Sequence, residues 1–272
     1  MKFYEFGDKD NPTVFLIHGT ASHWKLSFGQ VIDGLADEYY VVCVAMDGHD
    51  ENDNTEMVSI SDEADKLDDY IQKKYNGKIY GIYGSSMGGS IVGKLLEKGS
   101  IYIEHAITGS ADFDYMSGLS AVICSKIATH IFYKYAKTGE INGLLNLLVK
   151  SKKKQKYLKD LHRVIYKNIT YKTLYREYYT DLIIPIADNI IPEGTHIHCV
   201  FGMEEDVSKL VNRYKKHFPK AEIIGLVGLN HEELLIREPK EWVHMIKTLL
   251  NQGDYEYYGG TEKIDGSQMY YR

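Results

Sequence analysis

The sequence predicts an α/β protein: a mainly parallel, doubly wound sheet interrupted by a helical insertion. Three observations carry this expectation. Short apolar runs rich in β-branched residues alternate with helical periods at both ends of the 272-residue chain. The runs are apolar throughout, as in strands covered on both faces, and do not alternate as half-exposed ones would. From about residue 113 to 182 no such run occurs, and Lys, Tyr, Leu and Ile dominate instead. At a typical 150 residues per domain the length corresponds to about 1.8 domains. The expected division is a core of residues 1–112 and 183–252, a helical insertion over 113–182 and a tail over 253–272.

Taken in order, Lys2–Phe6 is a short first strand, and Thr13–His18 and Tyr39–Ala45 are the first continuous apolar runs. Ile60, Ala64, Leu67 and Ile71 recur at steps of four and three, with acids in the first turn, which predicts a helix. Lys78–Tyr83 is a further strand, followed by a helix whose inward face is Ile91, Val92, Leu95 and Leu96. Tyr102–Ile107 closes the first half of the sheet. After the insertion, His196–Phe201 and Ala221–Val227 resume it, separated by a helical period at Val207, Leu210, Val211 and Tyr214. Pro239 opens a last helix with Trp242, Met245, Ile246, Leu249 and Leu250 inward, and Gly253 closes it. The tail is polar, glycine-bearing and without period, so an extended or mobile appendage is expected.

Composition narrows the function classes. Lys and Arg total 32 against 38 Asp and Glu, a net charge of −6, which argues against a protein that grips phosphate backbones. Lys150, Lys152, Lys153, Lys154 and Lys156 form one basic run, followed by Tyr157, Tyr166, Tyr171, Tyr175, Tyr178 and Tyr179. In an acidic chain this reads as a solvated lysine face with amphipathic tyrosines against the body, in preference to a nucleic-acid or anionic-membrane patch. Cys43, Cys124 and Cys199 have neither disulfide-framework nor zinc spacing. The start carries charges and no apolar stretch of signal-peptide type. The longest apolar run, Leu147–Val149 with Leu144 and Leu145, is far short of a bilayer span. A cytoplasmic protein with no membrane partner is expected, and the sequon Asn168-Ile169-Thr170 then has no significance.

The sharpest chemical feature is Gly84-Ser85-Ser86-Met87-Gly88. It stands between a predicted strand and a predicted helix, the context in which a serine sits on a sharp turn with its hydroxyl exposed. Glycines two residues either side remove side chains that would collide there, and Gly89 lets the helix approach the sheet. Nucleophilic serine needs a base, a group to orient that base, and donors for a developing oxyanion. His231, in Gly228-Leu229-Asn230-His231-Glu232 after the last predicted strand, is the candidate base. Three consecutive acids, Glu204, Glu205 and Asp206, follow His196–Phe201. Asp206 directly precedes a helical period and suits an N-cap, Glu204 is expected to face solvent, and Glu205 is the preferred acid, with Asp112 or Asp114 a further option. The backbone N–H groups of Thr20, after His18-Gly19, and of Met87 are the candidate oxyanion donors. Among the other histidines, His196 and His198 alternate on one strand with no third ligand in view, His105 and His244 fall in core elements, and His23 and His49 lie on loops that could line the pocket. Neither a metal nor a cofactor is expected.

With His18-Gly19-Thr20, Met46-Asp47-Gly48-His49, GSSMGG at 84–89, FGMEED at 201–206 and GLNHEE at 228–233, the sequence resembles the α/β-hydrolase superfamily, in its esterase-like branch with a helical cap. The resemblance covers about residues 10–110 and 185–252, and the order Ser86, Glu205, His231 is that of the superfamily. It departs in having Glu at the usual Asp position, Asn230 before the histidine, and a trimmed set of early strands. The activity implied is acyl transfer to Ser86 with a small ester-type substrate, falling as pH drops through the His231 pKa, near 6.5 if unperturbed. A ligand-binding or sensor protein that keeps the fold without turnover is the alternative.

Overall fold

The computed structural model describes residues 1–264 other than 53, 142 and 150, and the side chains of 144, 147 and 148 also lie outside it. Lys150 of the basic run, the side chains of Leu144 and Leu147, and the last eight residues of the tail, 265–272, therefore lie outside the described residues. The strands are β1 (Lys2–Phe6), β2 (Thr13–Ile17), β3 (Tyr40–Ala45), β4 (Lys78–Ser85), β5 (Tyr102–Gly109), β6 (His196–Gly202), β7 (Glu222–Leu226) and β8 (Thr261–Lys263). They form one eight-stranded sheet in the order β1-β3-β2-β4-β5-β6-β7-β8. All neighbours from β3 to β7 are parallel, and only the edge strands β1 and β8 run antiparallel.

The helices on the described residues are α1 (Trp24–Phe28), α2 (Ile32–Ala36), α3 (Ile60–Tyr75), α4 (Met87–Lys98), α5 (Gly118–Thr138), α6 (Gly143–Leu148), α7 (Lys152–Leu161), α8 (Tyr171–Ile183), α9 (Val207–His217), α10 (Glu233–Arg237) and α11 (Pro239–Leu250). Strand alternation divides the buried residues between two layers. Phe15 and Ile17 point to one, with Ile60 and Leu67 of α3, Ile91 and Leu95 of α4 and Leu210 of α9. Val14 and Leu16 point to the other, with Phe28, Leu35, Trp242 and Ile246 of α1, α2 and α11. A third cluster belongs to the helices between β5 and β6, where Tyr135, Tyr157, Leu158, Ile165, Ile169 and Leu174 pack together and against Ala21.

Order in the sheet fixes where a ligand can sit. From β2 the chain moves outward to β3 and then returns past β2 to β4. The carboxyl ends of β2 and β4 thus flank a topological switch point, where connections leave in opposite directions and open a crevice. His18-Gly19-Thr20 leaves one end and Ser86 the other. Among the described residues no helix is long and apolar enough to cross a membrane.

Two expectations about the fold need correction. Over its described residues, 253–264, the tail is no mere appendage: Tyr255 and Tyr257 are buried in the layer beside α11, and β8 pairs with β7. Isolated aromatics, with Tyr255 Oη donating to Glu241 Oε1 at 2.8 Å, tie it down without any periodic pattern. His244 lies on α11 but is exposed. The five-residue helices α1, α2 and α10 are too short to show a helical period in the sequence.

Candidate active site

Ser86 occupies a turn that ordinary backbone geometry disfavours. Its φ of 51° and ψ of −118° lie outside the regions open to most residues, a strain of order 1–3 kcal/mol that surrounding structure must hold in place. A Cβ on Gly84 would lie 2.3 Å from the Gly88 carbonyl oxygen, and one on Gly88 would lie 2.6 Å from that of Ile17. Those two glycines therefore let β4, the turn and α4 pass against β2. The Ser86 N–H donates to the Gly109 carbonyl at 2.6 Å, pinning the turn to the end of β5.

The acid and the base come from neighbouring loops joined backbone to backbone. Glu204 N–H donates to the Leu229 carbonyl at 2.9 Å and Met203 N–H to that of Leu226 at 3.0 Å. A Cβ on Gly202 would meet the Leu229 and Asn230 carbonyl oxygens at 2.4 Å, so this close approach needs glycine. Across it, His231 Nδ1 lies 2.7 Å from Glu205 Oε2, and His231 Nε2 lies 2.8 Å from Ser86 Oγ. The other carboxylate oxygen, Oε1, accepts from Ser110 Oγ at 2.7 Å and from Gly202 N–H at 3.0 Å. With both oxygens engaged, the carboxylate has a fixed orientation.

Burial opposes charge on the His231 imidazole, but the Glu205 carboxylate outweighs it through its charge and hydrogen bond, aided by Glu232 and Asp112, and the pKa rises to about 9. The unperturbed 6.5 expected from sequence is thus corrected upward, because acids surround the ring.

Of the other acids, Asp206 caps α9, accepting from Lys209 N–H at 3.2 Å, and Glu204 pairs with Lys153 at 2.9 Å. Asp112 accepts from Asp114 N–H, and Asp114 pairs with Lys209 and Arg213; neither bonds to His231. Thr20 lines the cavity beside Ser86. Met87 is the first residue of α4, so its N–H is among the four at a helix start that lack an intrahelical acceptor, at the positive end of the helix dipole.

A group the sequence does not point to shapes the loop bearing Thr20. Glu177 of α8 is fully buried and its carboxylate accepts from Ala21 N–H at 3.1 Å. His49 Nε2 lies 2.8 Å from the same carboxylate. Ala21 has a φ of 53°, an unusual value for alanine that this anchor holds. His49 is therefore a buried partner of Glu177, and His23 caps α1 and stacks on Tyr166; neither lines the cavity, contrary to the expectation from sequence. Glu177→Ala would leave the Ala21 N–H without its acceptor and His49 without the carboxylate packed against it. We expect it to destabilise the fold by about 3 kcal/mol, measured as a lower midpoint in urea unfolding at unchanged slope.

These groups open into a cavity of about 280 Å³ lined by Thr20, Ser86, His231 and Glu232, with apolar walls of Phe132, Leu161, Val164, Leu235 and Ile236. Tyr83 Oη donates to Glu232 Oε2 at 2.6 Å, tying the residue after His231 to the strand that leads into Ser86. A Cβ on Gly109 would fall 2.1 Å from Tyr83 Oη and 2.2 Å from Glu232 Oε1, so glycine there makes room for the pair. Burial raises the Glu232 pKa, against the opposing effects of the His231 charge and of hydrogen bonds from Tyr83 and Ser85.

The lysine-rich helix α7 lies over both loops. Lys153 Nζ donates to the Gly228 carbonyl at 3.0 Å as well as to Glu204, and Tyr157 Oη donates to the His231 carbonyl at 2.8 Å. Of the paired strand histidines, His198 lies 3.0 Å from Glu222 and His196 stacks on His105. The acids Asp47, Asp62 and Glu63, near enough together for a metal, surround the Lys66 ammonium.

No family model matches the sequence, and no curated protein does. Solved structures are similar over almost the whole chain. An α/β hydrolase family protein from Desulfitobacterium hafniense has a TM-score of 0.78 at 20% identity, over 92% of this chain and 100% of that one. A structure from work on carboxylesterases of Nitrososphaera gargenis has a TM-score of 0.68 at 17% identity, over 92% and 94%. A thermophilic esterase from Thermogutta terrifontis has a TM-score of 0.70 at 14% identity, over 92% and 93%. At such identities the likeness is one of fold, and the fold of this chain is the α/β-hydrolase fold.

Proposed function

We propose that this chain, built on the α/β-hydrolase fold, is a serine hydrolase that cleaves a carboxylic ester or related acyl bond through an acyl-enzyme on Ser86. The observation that carries this reading is the hydrogen-bonded line Ser86 Oγ–His231 Nε2–His231 Nδ1–Glu205 Oε2, at 2.8 Å and 2.7 Å, opening into a cavity. In the proposed reaction Ser86 Oγ attacks the acyl carbon as its proton passes to His231 Nε2. The tetrahedral oxyanion lies against the N–H groups of Thr20 and Met87; one such donor is typically worth about 10²–10³ in rate. His231 returns the proton to the departing alkoxide; water, deprotonated by the same imidazole, then attacks the acyl carbon, and His231 gives that proton to Ser86 Oγ as the acid leaves. Glu205 holds the imidazole with Nε2 free to accept.

Helices α5 to α8 serve as a cap in this reading, because Phe132, Leu161, Val164 and Tyr178 supply one wall of the cavity. Those walls suit a small, partly apolar acyl or alcohol group. Names of similar structures that include carboxylesterases and an esterase are in keeping with it. The test is a panel of p-nitrophenyl esters, thioesters and amides of graded chain length. Hydrolysis of the shorter esters is expected, and no turnover of any member would favour the non-catalytic binding protein.

The pH profile carries a second expectation. Only neutral His231 can accept the serine proton, and its pKa is raised to about 9. The quantity kcat/KM should therefore rise about tenfold per pH unit below that value and level off above it. A profile flat from pH 6 to 10 would remove His231 as the base.

A further inference from the structure

A surface groove of about 770 Å³ adjoins the catalytic cavity, and Val164 and Ile236 line both. Its charge is unlike that of the chain. Four cations line it, Lys25, Lys156, Arg163 and Arg237, against one acid, Asp160, on a protein of net charge −6. Lys25 and Lys156 are exposed and, among the described residues, have no carboxylate partner. Arg163 reaches Asp160 only at 3.5 Å and its side chain is 78% exposed. Arg237 is held in place, with Nε on Asp160 at 2.8 Å and Nη1 on Glu233, while Nη2 has no acceptor among the described residues. The inner cavity is different: its charged groups are His231 and Glu232, and most of its wall is apolar.

We propose that this groove is a subsite for an anionic tail, so that the preferred substrates are acyl compounds bearing a carboxylate or phosphate several atoms from the scissile bond. The inference rests on the serine-hydrolase reading and adds the class of substrate. Cations on one side of a cavity mouth attract an anion before it docks and favour it once bound, and salt weakens both effects. The apolar segment between tail and carbonyl would lie along Val164 and Ile236, the residues common to groove and cavity.

Two matched pairs of probes test this, one for each side of the scissile bond. On the acyl side, p-nitrophenyl hemiglutarate is compared with neutral p-nitrophenyl valerate. On the leaving-group side, the butyryl thioester of 6-mercaptohexanoate is compared with that of hexanethiol. In at least one pair kcat/KM should favour the anion by about tenfold at low ionic strength, with the ratio falling towards one in 0.5 M NaCl. The double variant Lys156→Glu, Arg163→Glu should abolish that preference. Both positions are exposed, and the ratio within one variant is insensitive to its folded fraction; Lys25→Glu supplies a second variant. The pair that responds tells which end of the substrate lies in the groove. Ratios near one in both pairs, or ratios indifferent to charge reversal, would overturn the subsite while leaving a Ser86 hydrolase intact. Failure to cleave any of the four would instead remove the catalytic reading, and the subsite with it.

Discussion

Ser86→Ala is expected to lower kcat/KM for any ester the protein cleaves by about 10⁴-fold or more, without loss of the fold. The size follows from how the groups act together. His231 and Glu205 have a proton to move only if Ser86 Oγ is there to give it up, so removing the hydroxyl disables all three together. What should survive is whatever the cavity and the proposed N–H donors of Thr20 and Met87 give to attack by water. The change deletes one oxygen at a position whose φ of 51° alanine tolerates no worse than serine, so the unfolding midpoint should move little. A variant that is folded and retains wild-type activity would mean that catalysis occurs elsewhere.

Glu205→Gln should cost about 10⁴-fold in the high-pH plateau of kcat/KM, for a reason set by its neighbours. Oε1 accepts from Ser110 Oγ and from Gly202 N–H. A glutamine would place its carbonyl oxygen there, since its NH₂ would face two donors. That turns the NH₂ towards His231 Nδ1, forces the proton onto Nε2, and leaves no lone pair for Ser86. Loss of the carboxylate charge also removes the main contribution that raises the His231 pKa to about 9. The midpoint of the profile should therefore move down as the plateau falls. At pH 7 the two effects oppose each other, so the loss has to be measured on the plateau, above pH 9.5. An unchanged midpoint would mean that Glu205 does not set the charge state of His231.

The parts of this protein that were legible in its sequence are those governed by local rules. Continuous apolar runs marked β2 to β7 because a parallel strand is covered on both sides. The sharp turn at Ser86 was legible because it demands glycines at fixed spacing, and the capping role of Asp206 because an N-cap and a helical period are neighbours in sequence. Glu177, Ser110, Tyr83 and Tyr157 could not be found that way. Each acts across a large gap in the chain: 156 residues separate Glu177 from Ala21, and 149 separate Tyr83 from Glu232. No periodicity encodes such contacts. The mistaken placement of His23 and His49 has the same origin, since nothing local to residue 49 signals a buried glutamate on α8. The buried tyrosines of the tail were missed because single aromatics, not a repeating pattern, hold that segment.

The central claim is that Ser86 is a nucleophile activated by His231, and covalent trapping measures it most directly. After incubation with a fluorophosphonate at pH 9, intact-mass analysis should show one adduct per chain, and peptide mapping should place it on Ser86. Labelling should slow as pH falls below 9 and be absent in Ser86→Ala. A folded wild-type protein that takes up no label, or takes it up equally in Ser86→Ala, would contradict the account.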